Sequence, residues 1–180
     1  LYENDIEAKD IMGIVSALNV KKYIAIGYSR GSILTSRLLV LDKRVSCAVL
    51  GGMGLDFTNP DWPRRIMFYK ALSGEPIKEL EGLVKYVKDS GFDQQAMAYL
   101  QKSQPSTSKK ILSTIKQPVL VISGTEDTDN GSAEDLASAI PNATYSGVTG
   151  DHGSSVRTPE FSIIVNRFLK QCEIRKSTAL

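Results

Sequence analysis

One serine, one histidine and a few carboxylates in this sequence have the types and spacing of an activated nucleophile. Ser29 stands at the centre of Gly27-Tyr28-Ser29-Arg30-Gly31, between a short apolar run and a helical pattern. A strand, a sharp turn and a helix in this order lift a serine hydroxyl clear of a sheet. We expect a strained backbone at Ser29, and we expect glycines on both sides because a Cβ there would collide with neighbouring backbone.

The candidate base is unambiguous, because His152 is the single histidine of the sequence. An alcohol is a poor nucleophile at neutral pH and needs a base within hydrogen-bonding distance. His152 lies in Gly150-Asp151-His152-Gly153, after the last predicted strand. Because the carboxyl ends of parallel strands meet at one edge of a sheet, we expect this loop to lie beside Ser29.

A carboxylate must orient the histidine, and Asp127 is the preferred candidate. It closes Gly124-Thr125-Glu126-Asp127, directly after a predicted strand. The alternatives are Asp56, Asp129 and Glu126. Asp56 is the strongest of these, because it also follows a strand and a glycine-rich turn. The chain order Ser29, Asp127, His152 is the order expected for a serine in a nucleophile elbow.

The elements that must position these residues alternate between strands and helices. The patterns predict a helix over 4–18, a strand over 23–27, a helix to about 41, strands over 45–50 and 118–123, a helix over 132–140, a strand over 143–148, and a closing helix from Pro159. The predicted fold class is α/β, with a mostly parallel sheet and flanking helices. Its core spans 1–55 and 113–172, followed by a frayed tail over 173–180.

The segment 56–112 has a different character and is predicted to be a helical cap insertion, with helices over about 61–72, 77–89 and 93–102. It is short and sparsely apolar, so we do not expect it to hold a core of its own. Met53, Phe57 and Trp62 are expected near the mouth of a substrate pocket, with packing inside the cap an equal alternative. An apolar lining of this kind fits a small acyl or ester substrate.

Together these motifs resemble the α/β-hydrolase family. The resemblance rests on the elbow at 27–31, Gly124 to Asp127, Gly150 to Gly153, and the closing helix Pro159-Glu160-Phe161 to Phe168-Leu169. It implies a serine hydrolase, similar to carboxylic ester hydrolases, that forms an acyl-enzyme and needs no metal or cofactor. In that scheme Ser29 is the nucleophile, His152 the base and then acid, and Asp127 the orienting carboxylate. The backbone N–H of Arg30 would be one oxyanion-hole donor.

Other functions fit the same residues. The three side chains could serve acyl transfer, a haloperoxidase-type side activity or hydrolysis of a carbon–carbon bond. A serine at the elbow argues against dehalogenase and epoxide-hydrolase chemistry, which use a carboxylate nucleophile. A non-catalytic binding protein on the same fold is a third possibility.

The resemblance also implies early strands and a second oxyanion-hole loop that are not recognisable in the sequence. We therefore expect strand 23–27 to form an unpaired apolar edge, and we expect these 180 residues to be the C-terminal part of a longer hydrolase. A signal peptide is neither seen nor excluded on this interpretation.

The composition indicates which classes of binding partner to expect. The formal net charge is +2 and the basic residues are scattered, so neither nucleic acid nor a membrane is an expected partner. The oligomeric state is left open. Cys47 and Cys172 are far apart in sequence and form no disulfide framework or metal motif. This favours a reducing compartment and a cytoplasmic location.

Overall fold

The computed structural model describes the backbone of residues 4–177 and the side chains of residues 4–172. Within this part, four parallel strands form one sheet in the order β1-β2-β3-β4. The strands are β1 (Tyr23–Tyr28), β2 (Val45–Gly51), β3 (Val119–Gly124) and β4 (Ala143–Val148). The parallel sheet with flanking helices predicted from the sequence is confirmed.

Among residues 4–177, eight α-helices surround the sheet or form the insertion between β2 and β3. They are α1 (Ile6–Ala17), α2 (Arg30–Leu41), α3 (Pro63–Leu72), α4 (Glu81–Asp89), α5 (Gln94–Lys102), α6 (Lys109–Leu112), α7 (Ala133–Ser138) and α8 (Pro159–Ser177). Residues 173–177, which the sequence placed in a tail, have a helical backbone because α8 continues to Ser177. Residues 178–180 lie outside the described residues.

The central strands β2 and β3 are buried on both faces, which is why their sequences read as continuous apolar runs. Successive side chains point to opposite faces of a strand, so each strand contributes to two clusters. Ala48, Leu50, Val119 and Val121 pack with residues of α2 and α7 on one face. On the other face α8 covers Val49, Leu120, Ile122 and Val148. Helices therefore cover both faces of the sheet, and loops surround the edge where the strands end.

The insertion holds a small cluster of its own. Leu72 of α3, Val87 of α4 and Ala98 of α5 are buried together. The sequence predicted no core of its own for this segment, whereas the structure shows this cluster of three buried residues. The same segment also reaches the main core through Trp62 and Leu112. None of the described helices is long and apolar enough to cross a membrane.

Strand β1 lies at one edge of the sheet. It pairs with β2 on one side, and no other strand of residues 4–177 pairs with it. Ile26 in this strand is 57% exposed. The expected apolar edge strand is therefore present in the described part of the chain.

A disulfide joins Cys47 of β2 to Cys172 of α8, so the expectation of two separate cysteines was wrong. The two residues are 125 positions apart, but α8 packs across the sheet and brings their Cα atoms to 6.3 Å, a normal disulfide separation. Both cysteines are buried. Because disulfides persist mainly in oxidising compartments, the cytoplasmic expectation loses the observation on which it rested.

We expect this disulfide to stabilise the fold. A disulfide typically adds about 2–4 kcal/mol to the free energy of unfolding. The double variant Cys47→Ala/Cys172→Ala should have a lower melting temperature than the wild type. Dithiothreitol should lower the melting temperature of the wild type and leave that of the double variant unchanged. Two titratable thiols in the unfolded, unreduced wild type would contradict the bond.

Asp42 links the end of α2 to the start of β2. Its side chain is 4% exposed and accepts hydrogen bonds from Arg44 Nη2 at 2.8 Å and from the Tyr23 hydroxyl at 3.0 Å. The hydrogen bond from Arg44 holds the pKa of Asp42 below its ordinary value of 3.8. Burial, with the bond to Asp42, raises the pKa of Tyr23 to about 12. These contacts stabilise the ionised carboxylate in the folded state.

Asp42→Asn should therefore lower the free energy of unfolding at pH 7 by about 2 kcal/mol, the usual scale for a hydrogen bond to a charged group. Because the folded pKa is depressed, this contribution is present above pH 3.8 and is lost as the pH falls below it. The difference between wild type and variant in urea unfolding should thus shrink between pH 5 and pH 3. Asp10→Asn, at an exposed position, is the control. A constant difference across that range would contradict the ionic role.

Candidate active site

Ser29 occupies the turn between β1 and α2 with a strained backbone. Its φ of 52° and ψ of −122° lie in a backbone region that residues other than glycine rarely adopt. Holding a residue in such a conformation costs about 1–3 kcal/mol. Its N–H donates to the Gly51 carbonyl at 2.8 Å, which ties the turn to the neighbouring strand. The strained serine expected from the pentapeptide is confirmed.

The two glycines of the elbow have different roles. A Cβ on Gly27 would overlap the Gly31 carbonyl and come within 2.6 Å of the Ser32 nitrogen, so only glycine lets α2 start this close to β1. A Cβ on Gly31 would meet nothing within 4 Å outside its own helix. The expected collision is therefore confirmed at Gly27 and wrong at Gly31. The Ser32 hydroxyl completes the elbow because its one hydrogen lies between two carbonyl acceptors, those of Gly27 at 3.0 Å and Gly51 at 2.8 Å.

The structure brings Ser29, His152 and Asp127 into one chain of hydrogen bonds. His152 Nε2 lies 3.0 Å from Ser29 Oγ, and His152 Nδ1 lies 2.8 Å from Asp127 Oδ2. An ionised carboxylate only accepts hydrogen bonds, so Nδ1 carries the proton and Nε2 is left to accept from the serine hydroxyl. The Asp127 side chain is 3% exposed, whereas that of His152 is 26% exposed. The imidazole is thus bound on its Nδ1 side by a buried carboxylate and is partly exposed to solvent.

None of the rival carboxylates forms a hydrogen bond with the imidazole. The Asp56 carboxylate lies against the backbone of Gly131, and Asp129 pairs with Arg64 at 2.8 Å. Glu126 is exposed. Geometry therefore favours Asp127 as the partner of His152.

Asp151 organises the histidine loop. Its carboxylate accepts hydrogen bonds from the Ser154 hydroxyl at 2.6 Å and from the N–H groups of Ser154 and Gly153. These bonds, that of the Ser154 hydroxyl foremost, lower the pKa of Asp151. The loop therefore has an internal carboxylate anchor next to the histidine.

Tyr28 holds the histidine loop and Asn130 packs beside the imidazole, and neither contact was predicted from the sequence. The Tyr28 hydroxyl donates to the His152 carbonyl and lies 3.3 Å from Ser155 Oγ. Burial is the main cause that raises the pKa of Tyr28. Asn130 Nδ2 donates to the Gly52 carbonyl at 2.9 Å and packs 3.5 Å from His152 Nδ1, whose proton is already directed to the carboxylate. In the sequence, the only indication of a role for Tyr28 was its position next to Ser29 in the elbow.

Arg30 is the first residue of α2, directly after the serine. The first N–H groups of a helix have no partner within the helix, so the Arg30 N–H faces the serine side without an intrahelical acceptor. Its side chain donates to both oxygens of Glu7, at 2.9 and 2.6 Å. Backbone and side chain of Arg30 therefore serve different purposes.

A cavity of about 220 Å³ opens in front of the serine and histidine. It is lined by Ser29, Arg30, Ile33, Met53, Trp62, Arg64, Arg65, Phe68, Gln101, Gln104, Asn130 and His152. Met53 and Trp62 thus lie where the sequence analysis expected them, and they also belong to the main core. Phe57 does not line this cavity, because its short 3₁₀ turn inserts the ring into the core, where it is 2% exposed.

Asp127, Asp129 and His152 present ligand atoms within 4.8 Å of one another, a spacing that a metal ion could span. The Asp127 and His152 atoms are bonded to each other, and Asp129 is paired with Arg64. Each group is therefore already satisfied by a protein partner, and the cluster carries no metal proposal.

Comparisons with known proteins agree with this architecture. A bromoperoxidase from Bacillus anthracis is 20% identical with a TM-score of 0.73, covering 94% of this chain and 75% of that one. An enol-lactonase from Burkholderia xenovorans is 20% identical with a TM-score of 0.71, over 94% and 74% of the two chains. A structure reported with carboxylesterases of Nitrososphaera gargenis is 14% identical with a TM-score of 0.72, over 97% and 75%.

No protein-family model and no curated protein sequence matches the chain. The likeness to solved structures nevertheless extends over nearly all of it. The chain has the α/β-hydrolase fold.

The elbow geometry predicts opposite outcomes for two similar substitutions. Gly27→Ala forces β1 and α2 apart and should lower the free energy of unfolding by about 1–3 kcal/mol, the usual cost of overpacking. Gly31→Ala has room for its methyl group and gains helix propensity, so its stability should equal or exceed that of the wild type. Urea unfolding of both variants measures the difference. Equal destabilisation by the two would contradict this description of the elbow.

Proposed function

We propose that this chain is a serine hydrolase that cleaves an ester or a related acyl bond of a small molecule through an acyl-enzyme intermediate. The observation that carries the proposal is the hydrogen-bonded series Ser29, His152, Asp127, which opens onto a cavity. The strained backbone of Ser29 supports the same role, because such strain concentrates at functional residues.

In the proposed mechanism Ser29 Oγ attacks the acyl carbonyl carbon while His152 Nε2 accepts the hydroxyl proton. The separation of 3.0 Å between these atoms suits direct proton transfer. Asp127 holds the Nδ1 proton, keeps the imidazole in the required tautomer and stabilises the imidazolium that forms. His152 then protonates the leaving group, and a water molecule activated by the same histidine hydrolyses the acyl-enzyme.

The tetrahedral intermediate carries a negative oxygen that needs backbone donors. We assign one of them to the Arg30 N–H, which follows the nucleophile at the start of α2. The partial positive charge of the α2 N-terminus adds to this stabilisation.

The comparisons support acyl chemistry as the reaction class. Two of the neighbours are named as an enol-lactonase and as carboxylesterases. The cavity is small and lined in part by Met53, Trp62 and Phe68, which suits a short acyl substrate. Ester hydrolysis is therefore the first activity to measure.

A fluorophosphonate probe tests the nucleophile directly. We expect the probe to label the wild type, and we expect Ser29→Ala and His152→Ala to abolish labelling and hydrolysis of short p-nitrophenyl esters. Ser113→Ala, at an exposed serine, is the matched control and should label normally. Labelling that survives Ser29→Ala would overturn the assignment.

The same assay separates the candidate acids. Asp127→Asn should lower kcat by about 10⁴-fold, because the amide favours the wrong tautomer of the histidine. Asp56→Asn should leave kcat within a few-fold of the wild type, since the Asp56 carboxylate forms no hydrogen bond with the imidazole. A larger loss for Asp56→Asn than for Asp127→Asn would reassign the acid.

A further inference from the structure

Three arginines and no acidic residue line the described part of the cavity: Arg30, Arg64 and Arg65. Two of them are paired with carboxylates outside the cavity wall. Arg30 donates to both oxygens of Glu7, and Arg64 forms an ion pair of 2.8 Å with Asp129. These two positive charges are therefore compensated within the protein.

Arg65 is different. Among residues 4–172 no carboxylate oxygen lies within 4.0 Å of its guanidinium. Its hydrogen bonds go to two backbone carbonyls, that of Gln104 at 3.0 Å and that of Pro60. Arginine has five N–H donors, so donors remain after these two contacts. The carbonyls fix the orientation of the guanidinium but leave its charge uncompensated.

The apolar surroundings of Arg65 strengthen the effect of its charge on a ligand. Arg65 is half-buried, and the same cavity is walled by Ile33, Met53, Trp62 and Phe68. Apolar walls displace water and strengthen the interaction between a fixed charge and a ligand of opposite sign. A planar guanidinium held in one orientation also matches the two oxygens of a carboxylate.

We infer that Arg65 is a specificity residue that binds a carboxylate carried by the acyl substrate. One uncompensated positive charge matches a single negative charge, and a carboxylate is a monoanion at neutral pH. The substrate class is thus an ester or lactone whose acyl chain bears a terminal carboxylate. This inference rests on the proposed function for the reaction, but the binding step is separable from it.

Binding can be measured without turnover in the Ser29→Ala chain. Monomethyl succinate is an anionic probe, and methyl butyrate is a neutral one with the same acyl length. By calorimetry we expect the anionic probe to bind more tightly, and we expect Arg65→Gln on this background to weaken it about tenfold or more, as for loss of a charge-assisted hydrogen bond. The affinity for methyl butyrate should stay the same.

The catalytic form of the test compares mono-p-nitrophenyl succinate with p-nitrophenyl butyrate. In the full chain, Arg65→Gln should raise KM for the succinate ester about tenfold and leave KM for the butyrate ester unchanged. Arg65→Lys keeps the charge without the planar fork and should retain part of the preference. Lys22→Gln removes one exposed positive charge at the opposite edge of the sheet and is the matched control.

The outcomes separate the two proposals. Equal binding of the two probes, or unchanged affinity for monomethyl succinate in Arg65→Gln, would overturn the carboxylate site whatever the activity. Tight, Arg65-dependent binding with no hydrolysis of either ester would support the site and count against the proposed function. If Arg65 only ties α3 to the Gln104 loop, Arg65→Gln would lower the melting temperature and weaken both probes alike, which would also overturn the inference.

Discussion

The close approach of α2 to the end of β1 is the constraint on which the rest of the site depends. The Gly31 carbonyl sits where a Cβ of residue 27 would be, so the helix can begin immediately beyond the strand. This forces Ser29 into a positive φ and turns its hydroxyl toward the loop that follows β4. The Ser32 hydroxyl and the Gly51 carbonyl stabilise the turn from the side of β2. The energy stored in one backbone conformation is thus offset by contacts that a single tight turn makes possible.

The position of the histidine loop depends on the face of the sheet that α8 covers. Phe161 of α8 packs edge-on against Tyr28 at 5.9 Å between ring centroids, and the Tyr28 hydroxyl holds the His152 carbonyl. Helix α8 is itself joined to β2 through Cys47 and Cys172. The imidazole is therefore fixed through three successive contacts. The disulfide joins α8 to β2, Phe161 of α8 packs on Tyr28, and Tyr28 bonds to the His152 carbonyl. The position of the histidine loop therefore depends partly on the packing of α8, which does not line the cavity.

The insertion between β2 and β3 supplies much of the cavity wall. Helix α3 begins at Pro63 and places Arg64 and Arg65 side by side on the wall. Arg64 also packs over the Phe68 ring at 5.0 Å, so its guanidinium is held by an aromatic face as well as by a carboxylate. Arg65 is held by backbone carbonyls instead. Two neighbouring residues of one type thus differ in their electrostatic state because their partners differ.

The order of strands and helices, the elbow, the single histidine and the turn after β3 could all be predicted from the sequence, because each rests on local patterning and on the common edge where parallel strands end. The sequence favoured Asp127 over Asp56 without excluding Asp56. It could not pair Cys47 with Cys172 or separate the roles of Gly27 and Gly31. It also could not show that Phe57 is buried in the core, or that Arg65 on the cavity wall has no carboxylate partner among the side chains of residues 4–172. Each of these depends on distances between segments far apart in the chain. Local propensity is blind to such distances, and only the packing of helices across the sheet decides them.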